Sequence, residues 1–277
     1  MRTSIINGLS AIGVWLLLGG IAFAQDAPEP GKIAFLKGDY AGAMAIWLPL
    51  AEDGDAHARF NVGLLHDEGL GVPRNPLEAR RWWNMAAEQG LAVADHNIGL
   101  LELELAASET DEGDTGRAIH HLKRASDAGY LASSYTLGKI YELGVGVPAD
   151  QDMSVQLVRR AAEGGHARAQ YNMGKRYRDG TGVEQDSRLA AEWFRRAALA
   201  GHPGGQDHYA RRLRDADGVE KNEILAMAMA ILAARAGHEE ARELANEMKV
   251  PLDLAQLDKA FALANAFIPQ TSSGPAE

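Results

Sequence analysis

The sequence predicts an all-α fold, a solenoid of stacked helix pairs. Three observations carry that prediction: a glycine at a near-constant interval, an Asp or Asn at a fixed distance before it, and small and large apolar residues between them at helical spacing. The glycines are Gly54, Gly90, Gly129, Gly165, Gly201 and Gly237, at intervals of 36, 39, 36, 36 and 36 residues. Fifteen residues before each stand Asp39, Asn75, Asp114, Asp150, Asp186 and Asn222. These are the side chains that accept hydrogen bonds from the free N–H groups at a helix start. A period of roughly 20–50 residues marks repeat architectures, in which each unit buries its apolar face only against its neighbours.

The second helix of each unit runs from the Asx cap to the glycine. Seven residues before the glycine lie Trp47, Trp83, Leu122, Val158, Phe194 and Ala230, and eleven before it Ala43, Ala79, Ala118, Ser154, Ala190 and Ala226. Asn75-Pro76-Leu77-Glu78 shows the start signal best: cap, Pro at the first helical position, then an acid. The glycine at the end suits the left-handed conformation that closes a helix.

The first helix of each unit carries its own constant nine residues after that glycine: Gly63, Gly99, Gly138, Gly174, then Ala210. A mid-helix Gly costs about 1 kcal/mol relative to Ala, so its recurrence implies that two helix backbones approach too closely there for a side chain. A turn follows at Gly69-Leu70-Gly71-Val72, Gly144-Val145-Gly146-Val147 and Gly180-Thr181-Gly182-Val183. A phosphate-cradling loop would need a strand before it and a Lys-Ser/Thr after it, and neither is present.

Two units depart from the pattern. The second is three residues longer and replaces the turn with an acidic insertion at 105–116 containing Glu109, Asp111 and Glu112, read as a solvated spacer. The fifth keeps half a turn, Asp215-Ala216-Asp217-Gly218-Val219. Residues 31–54 read as a half unit. Glu239–Met248 resembles one more first helix, 251–268 a capping helix over the last apolar face, and 269–277 a disordered tail.

Residues 1–24 read as a secretory signal peptide: Arg2, an apolar stretch around Val14-Trp15-Leu16-Leu17-Leu18, and the cleavage pattern Ala22-Phe23-Ala24. The stretch approaches spanning length, but Asn7, Ser10 and several glycines weaken the rival reading as a membrane anchor. The expectation is therefore a periplasmic protein, cleaved after Ala24, with no stable membrane insertion afterwards.

Composition excludes several functions. There is no Cys, so thiolate metal sites, thiol nucleophiles and disulfide frameworks are absent. The 28 Lys+Arg against 38 Asp+Glu give a formal charge of −10, which argues against nucleic-acid binding. His120 and His121 are adjacent and diverge on a helix, while His166, His202 and His238 lie one period apart. No His-Glu-x-x-His, Gly-x-Ser-x-Gly or Ser-x-x-Lys occurs, and nothing in the sequence marks Ser133 or Ser134 as activated. The chain is read as not an enzyme, with no cofactor or metal.

Ala56-His57-Ala58-Arg59-Phe60-Asn61-Val62-Gly63, Gly69-x-Gly71-Val72 and Ala86-Ala87-Glu88-Gln89-Gly90 together resemble a Sel1-like repeat, as does Ala167-Arg168-Ala169-Gln170-Tyr171-Asn172-Met173-Gly174 through Ala197-Ala198-x-x-Gly201. The resemblance covers about 55–90, 91–129, 130–165, 166–201 and 202–237, within a repeat region of 25–250. It implies a tetratricopeptide-like α/α solenoid and protein–protein binding rather than catalysis. By that analogy the first helices line a groove. Its variable positions are Leu64, Leu100, Lys139, Lys175 and Arg211, and three residues further on Asp67, Leu103, Glu142, Arg178 and Arg214. The expected partner is a protein segment in the bacterial envelope, anchored by apolar contacts near Leu64 and Leu100 and by acidic residues near Lys139, Lys175 and Arg211. Exported members of the family suggest an envelope sensor kinase or polysaccharide-export machinery. The alternative is an accessory or catalytic factor acting on cell-wall glycan, which would need two carboxylates in one cleft.

Overall fold

The computed structural model describes residues 30–108, 113–267 and 269. The predicted signal peptide, the core of the acidic insertion and nearly all of the predicted tail lie outside them. The described residues form fourteen α-helices and no strand. In chain order they are α1 (Pro30–Leu36), α2 (Tyr40–Glu52), α3 (Ala56–Glu68), α4 (Pro76–Ala87), α5 (Ala92–Ala107), α6 (Thr115–Asp127) and α7 (Leu131–Leu143), then α8 (Gln151–Glu163), α9 (Ala167–Asp179), α10 (Ser187–Leu199), α11 (Pro203–Asp215), α12 (Glu223–Arg235), α13 (Glu239–Met248) and α14 (Leu254–Ala266). None of them is long and apolar enough to cross a membrane.

The helices belong to two compact units divided within α7. One holds residues 30–137 and 144–148, the other 138–143 and the described residues from 149 onward. In the first unit each helix from α1 to α6 packs on the next. In the second the same holds from α8 to α13, and α14 folds back onto α12.

The six Asx residues do what their chemistry requires. Asp39, Asn75, Asp114, Asp150, Asp186 and Asn222 each accept a backbone N–H three residues on, at 2.9–3.2 Å. Each satisfies an orphan donor of the first turn. At the other end, Gly54, Gly90, Gly129, Gly165, Gly201 and Gly237 all have φ between +83° and +106°.

The mid-helix glycines prove to be seats for the large residue of the following helix. A Cβ on Gly63 would lie 2.5 Å from Trp83, on Gly99 2.6 Å from Leu122, on Gly138 2.6 Å from Val158 and on Gly174 2.7 Å from Phe194. Carbonyl oxygens of Ala79, Ala118 and Ser154 stand a further half-ångström off, at 3.1–3.2 Å. The close approach is thus to a side chain first and a backbone second, a correction to the expectation of backbone against backbone. The half unit repeats the device, with Gly31 lying against the Trp47 indole. In the fifth unit Ala210 and Ala230 replace glycine and large residue together, and both are fully buried. With no large residue at 230 to seat, position 210 has no need of a glycine.

The second unit's departure is smaller than the sequence implied. Leu105, Ala106 and Ala107 continue α5, and α6 opens at Thr115.

Candidate partner-binding surface

In the first unit the expected surface positions fall on α3 and α5. Leu64 is only 4% exposed and Leu103 7%, while Leu100 and Asp67 are half-buried. Leu64 is not an open anchor, because α3 is flanked by both α2 and α4 and buries every residue from Phe60 to Leu65. Asp67 meets Arg74, whose Nε donates to the Asp67 carbonyl at 2.7 Å and whose Nη2 lies 3.5 Å from its carboxylate. The same Nη2 binds Glu104 at 2.7 Å. Burial pushes the Asp67 carboxyl up to about 6, against the pull of Arg74. Burial also raises Glu68.

Beneath this face lies a polar network that the sequence reading missed. Glu102, 1% exposed, accepts from Arg80 at 3.0 Å, Arg117 at 3.1 Å and the Asp114 N–H at 3.0 Å. Asp95 holds His121 at 2.7 Å and Arg124 at 3.3 Å. His96 Nδ1 lies 2.8 Å from the Ser133 hydroxyl. Both are buried, and that bond holds α5 and α7 in register. A buried carboxylate demands such partners. A visible signal existed: Glu102 and Asp95 stand at core positions of a helix whose other core positions include Ala94, Ile98, Leu101 and Leu105.

In the second unit the positions fall on α7, α9 and α11. Lys139 binds Glu142 one turn on, at 2.9 Å, and Glu142 also takes the buried Arg176 at 2.9 Å. Arg178 is engaged through two bonds to Asp179, at 2.7 and 2.8 Å. Arg214 repeats this with Asp215 one period later, at 2.7 and 2.9 Å. Arg211 reaches Asp207 at 3.1 Å and the Glu240 carbonyl at 3.2 Å. Lys175 lies over the Tyr171 ring, 5.7 Å from its centroid. The three arginines that the sequence read as free cations thus already hold carboxylates of their own chain.

Tyr171 heads a stack of rings between α9 and α11. His202 stacks on it with centroids 4.6 Å apart, and His208 stacks on Phe194 at 4.7 Å. His166 and His202 serve as helix N-caps, their Nδ1 atoms accepting from Ala169 and Gly205 N–H at 3.1 Å. Asp55 fills that place before α3. Burial pushes His166, His202 and His208 down to about 4, so all three imidazoles are neutral near pH 7 and able to accept. Among the described residues no group of three or more His, Asp or Glu is placed to hold a metal ion.

Sel1 repeats match residues 56–91, 103–130, 132–166, 167–202 and 206–238. The second match begins late, in the unit that carries the insertion. A crystallised Sel1 repeat protein from Oxalobacter formigenes is 30% identical, covers 76% of this chain and 60% of its own, and gives a TM-score of 0.71. A protective antigen of uropathogenic Escherichia coli with an SLR fold is 26% identical, covers 84% of this chain and half of its own, and gives 0.67. Human cytochrome c oxidase assembly factor 7 is 31% identical over 100 residues, 34% of this chain and 43% of that protein. This chain therefore spans less than two thirds of the length of each. Five matched repeats over more than half the sequence, on helix pairs that share their caps and glycine seats, place the chain in the Sel1 repeat family.

Proposed function

We propose that this chain is an exported docking scaffold or regulator of the bacterial envelope, which holds a segment of another protein against its first helices. One observation carries the reading. Caps, glycines and seated large residues repeat from unit to unit, while the half-buried positions between them change chemistry: Asp67 and Leu100 in the first unit, Lys139, Lys175, Arg178, Arg211 and Arg214 in the second. A constant frame with a varied lining is what selective docking needs. Sel1 repeats generally mediate protein–protein interaction, and the assembly role in the human relative's name is of that kind. The partner class that fits best is an envelope sensor kinase or polysaccharide-export machinery, met in the periplasm after cleavage at Ala24. The test is affinity capture from envelope extract by the wild-type chain and by the double reversal Lys175→Glu/Arg211→Glu. Loss of one specific partner in the variant supports the reading, and equal capture refutes the assignment of the surface.

A further inference from the structure

The second unit contains a cation whose counter-charge the repeat omits. Lys139 and Glu142 stand one turn apart on α7 and pair at 2.9 Å. One period later the same two positions on α9 are Lys175 and Arg178. The carboxylate has become a guanidinium, so Lys175 faces a like charge where Lys139 has a partner. Asp179 is the next carboxylate along the helix, and Arg178 holds both of its oxygens. Among the described residues Lys175 makes no ion pair within 4 Å; it lies over the Tyr171 ring, and the one carboxylate that feels its charge is Asp179, which Arg178 already holds. The fifth unit also carries Arg211 and Arg214 at these positions, but there Asp207 and Asp215 supply the carboxylates internally.

We propose that Lys175 is the anchor for an Asp or Glu side chain of a partner protein segment, which takes the place that Glu142 fills beside Lys139. The inference rests on the docking reading above and adds the chemistry of the occupant. Charge complementarity supports it. On α9, Arg168, Lys175, Arg176 and Arg178 outnumber Asp179, within a chain of formal charge −10. The neighbouring units show the geometry of such a bond, a carboxylate on a first-helix cation at 2.7–3.1 Å. The Tyr171 ring beside it offers an apolar face for the stem of the incoming side chain.

The test uses the purified full chain and labelled peptides of alternating Glu and Ala, with Lys and Gln counterparts, read by fluorescence polarisation. The wild type binds the Glu peptide in preference to the other two, and salt weakens the binding. Lys175→Gln weakens it on the order of tenfold, the effect of losing one charge pair. Arg178→Glu is the sharper variant. It leaves Lys175 in place, supplies an internal partner at position 178 and releases Asp179, so it abolishes Glu-peptide binding, with circular dichroism checking that the fold is kept. The exposed Lys123→Gln changes nothing. Equal binding by Lys175→Gln and Arg178→Glu, or no preference for the Glu peptide in the wild type, overturns the proposal. So does polygalacturonate binding in place of the peptide with the same dependence on Lys175, which assigns the anchor to an acidic polysaccharide. Envelope capture run alongside separates the two readings. A partner retained by wild type and Lys175→Gln alike leaves docking standing and removes the anchor. Absence of any specific partner for the wild type removes the docking reading itself.

Discussion

Replacing Gly174 by Ala should destabilise the protein, although the same change in a solvent-facing helix would stabilise it by about 1 kcal/mol. The added methyl would lie 2.7 Å from two ring carbons of Phe194 and 3.0 Å from a third. Phe194 is fully buried and its ring cannot bend away. Overpacking of this kind costs roughly 1–3 kcal/mol, which offsets or exceeds the propensity gain. Phe194→Ala alone should cost roughly 3–5 kcal/mol through the cavity it leaves. In the double variant the strain vanishes and the propensity gain remains. The two changes should therefore couple favourably, by about 1–3 kcal/mol. The fifth unit already carries that double state at Ala210 and Ala230. Urea unfolding followed by far-UV circular dichroism on the four members of the cycle measures the coupling. A Gly174→Ala variant stabilised by its full propensity, with no coupling to Phe194→Ala, would refute the seat.

Four further outcomes follow from the geometry. Asp186→Ala removes the acceptor for two N–H groups of α10 and should cost about 1 kcal/mol in urea, most of it regained by Asp186→Asn. Ala216 has φ +57° where the preceding unit has Gly180, so Ala216→Gly should raise stability by about 1 kcal/mol, and a lowered melting temperature would contradict this. His166 has a folded pKa of about 4 against an ordinary value near 6.5, so between these values the unfolded chain binds more protons. Its contribution, about 3 kcal/mol, is present above pH 6.5 and is lost as pH falls towards 4. His166→Asp, the residue type used at position 55, should flatten the decline of melting temperature with acid. Removing both Arg80 and Arg117 should cost more than removing Glu102. The arginines are 26% and 50% exposed and can rehydrate, whereas Glu102 would be left buried and unpaired at about 3–5 kcal/mol. Thermal melts of the two variants compare these losses directly.

The helix pairs were legible in the sequence because their determinants are local. An Asx side chain reaches its own N–H three residues on, and a closing glycine needs only its own φ, so both show as residue types at fixed spacing. The seats were half legible: the glycines announced a close approach, but only the packed helices show that Trp83, Leu122, Val158 and Phe194 occupy it. The surface was least legible. Spacing placed both Leu64 and Arg178 among the variable positions, yet Leu64 is shut in by two flanking helices and Arg178 is held by Asp179. The network of Glu102 was signalled only by a charge at a core position, and the caps made by His166 and His202 not at all, since an imidazole reads as surface until its partners are brought to it.

Sequence alone thus determined the repeat, its period, its caps and the membership of each helix, because these follow from interactions within a few residues of one another. Tertiary structure alone decided which side chains face water and which buried charges meet partners. Those outcomes depend on partners a helix or a whole repeat away, such as Glu102 on Arg80 and Arg176 on Glu142, and a distance of that kind is set only when the helices pack.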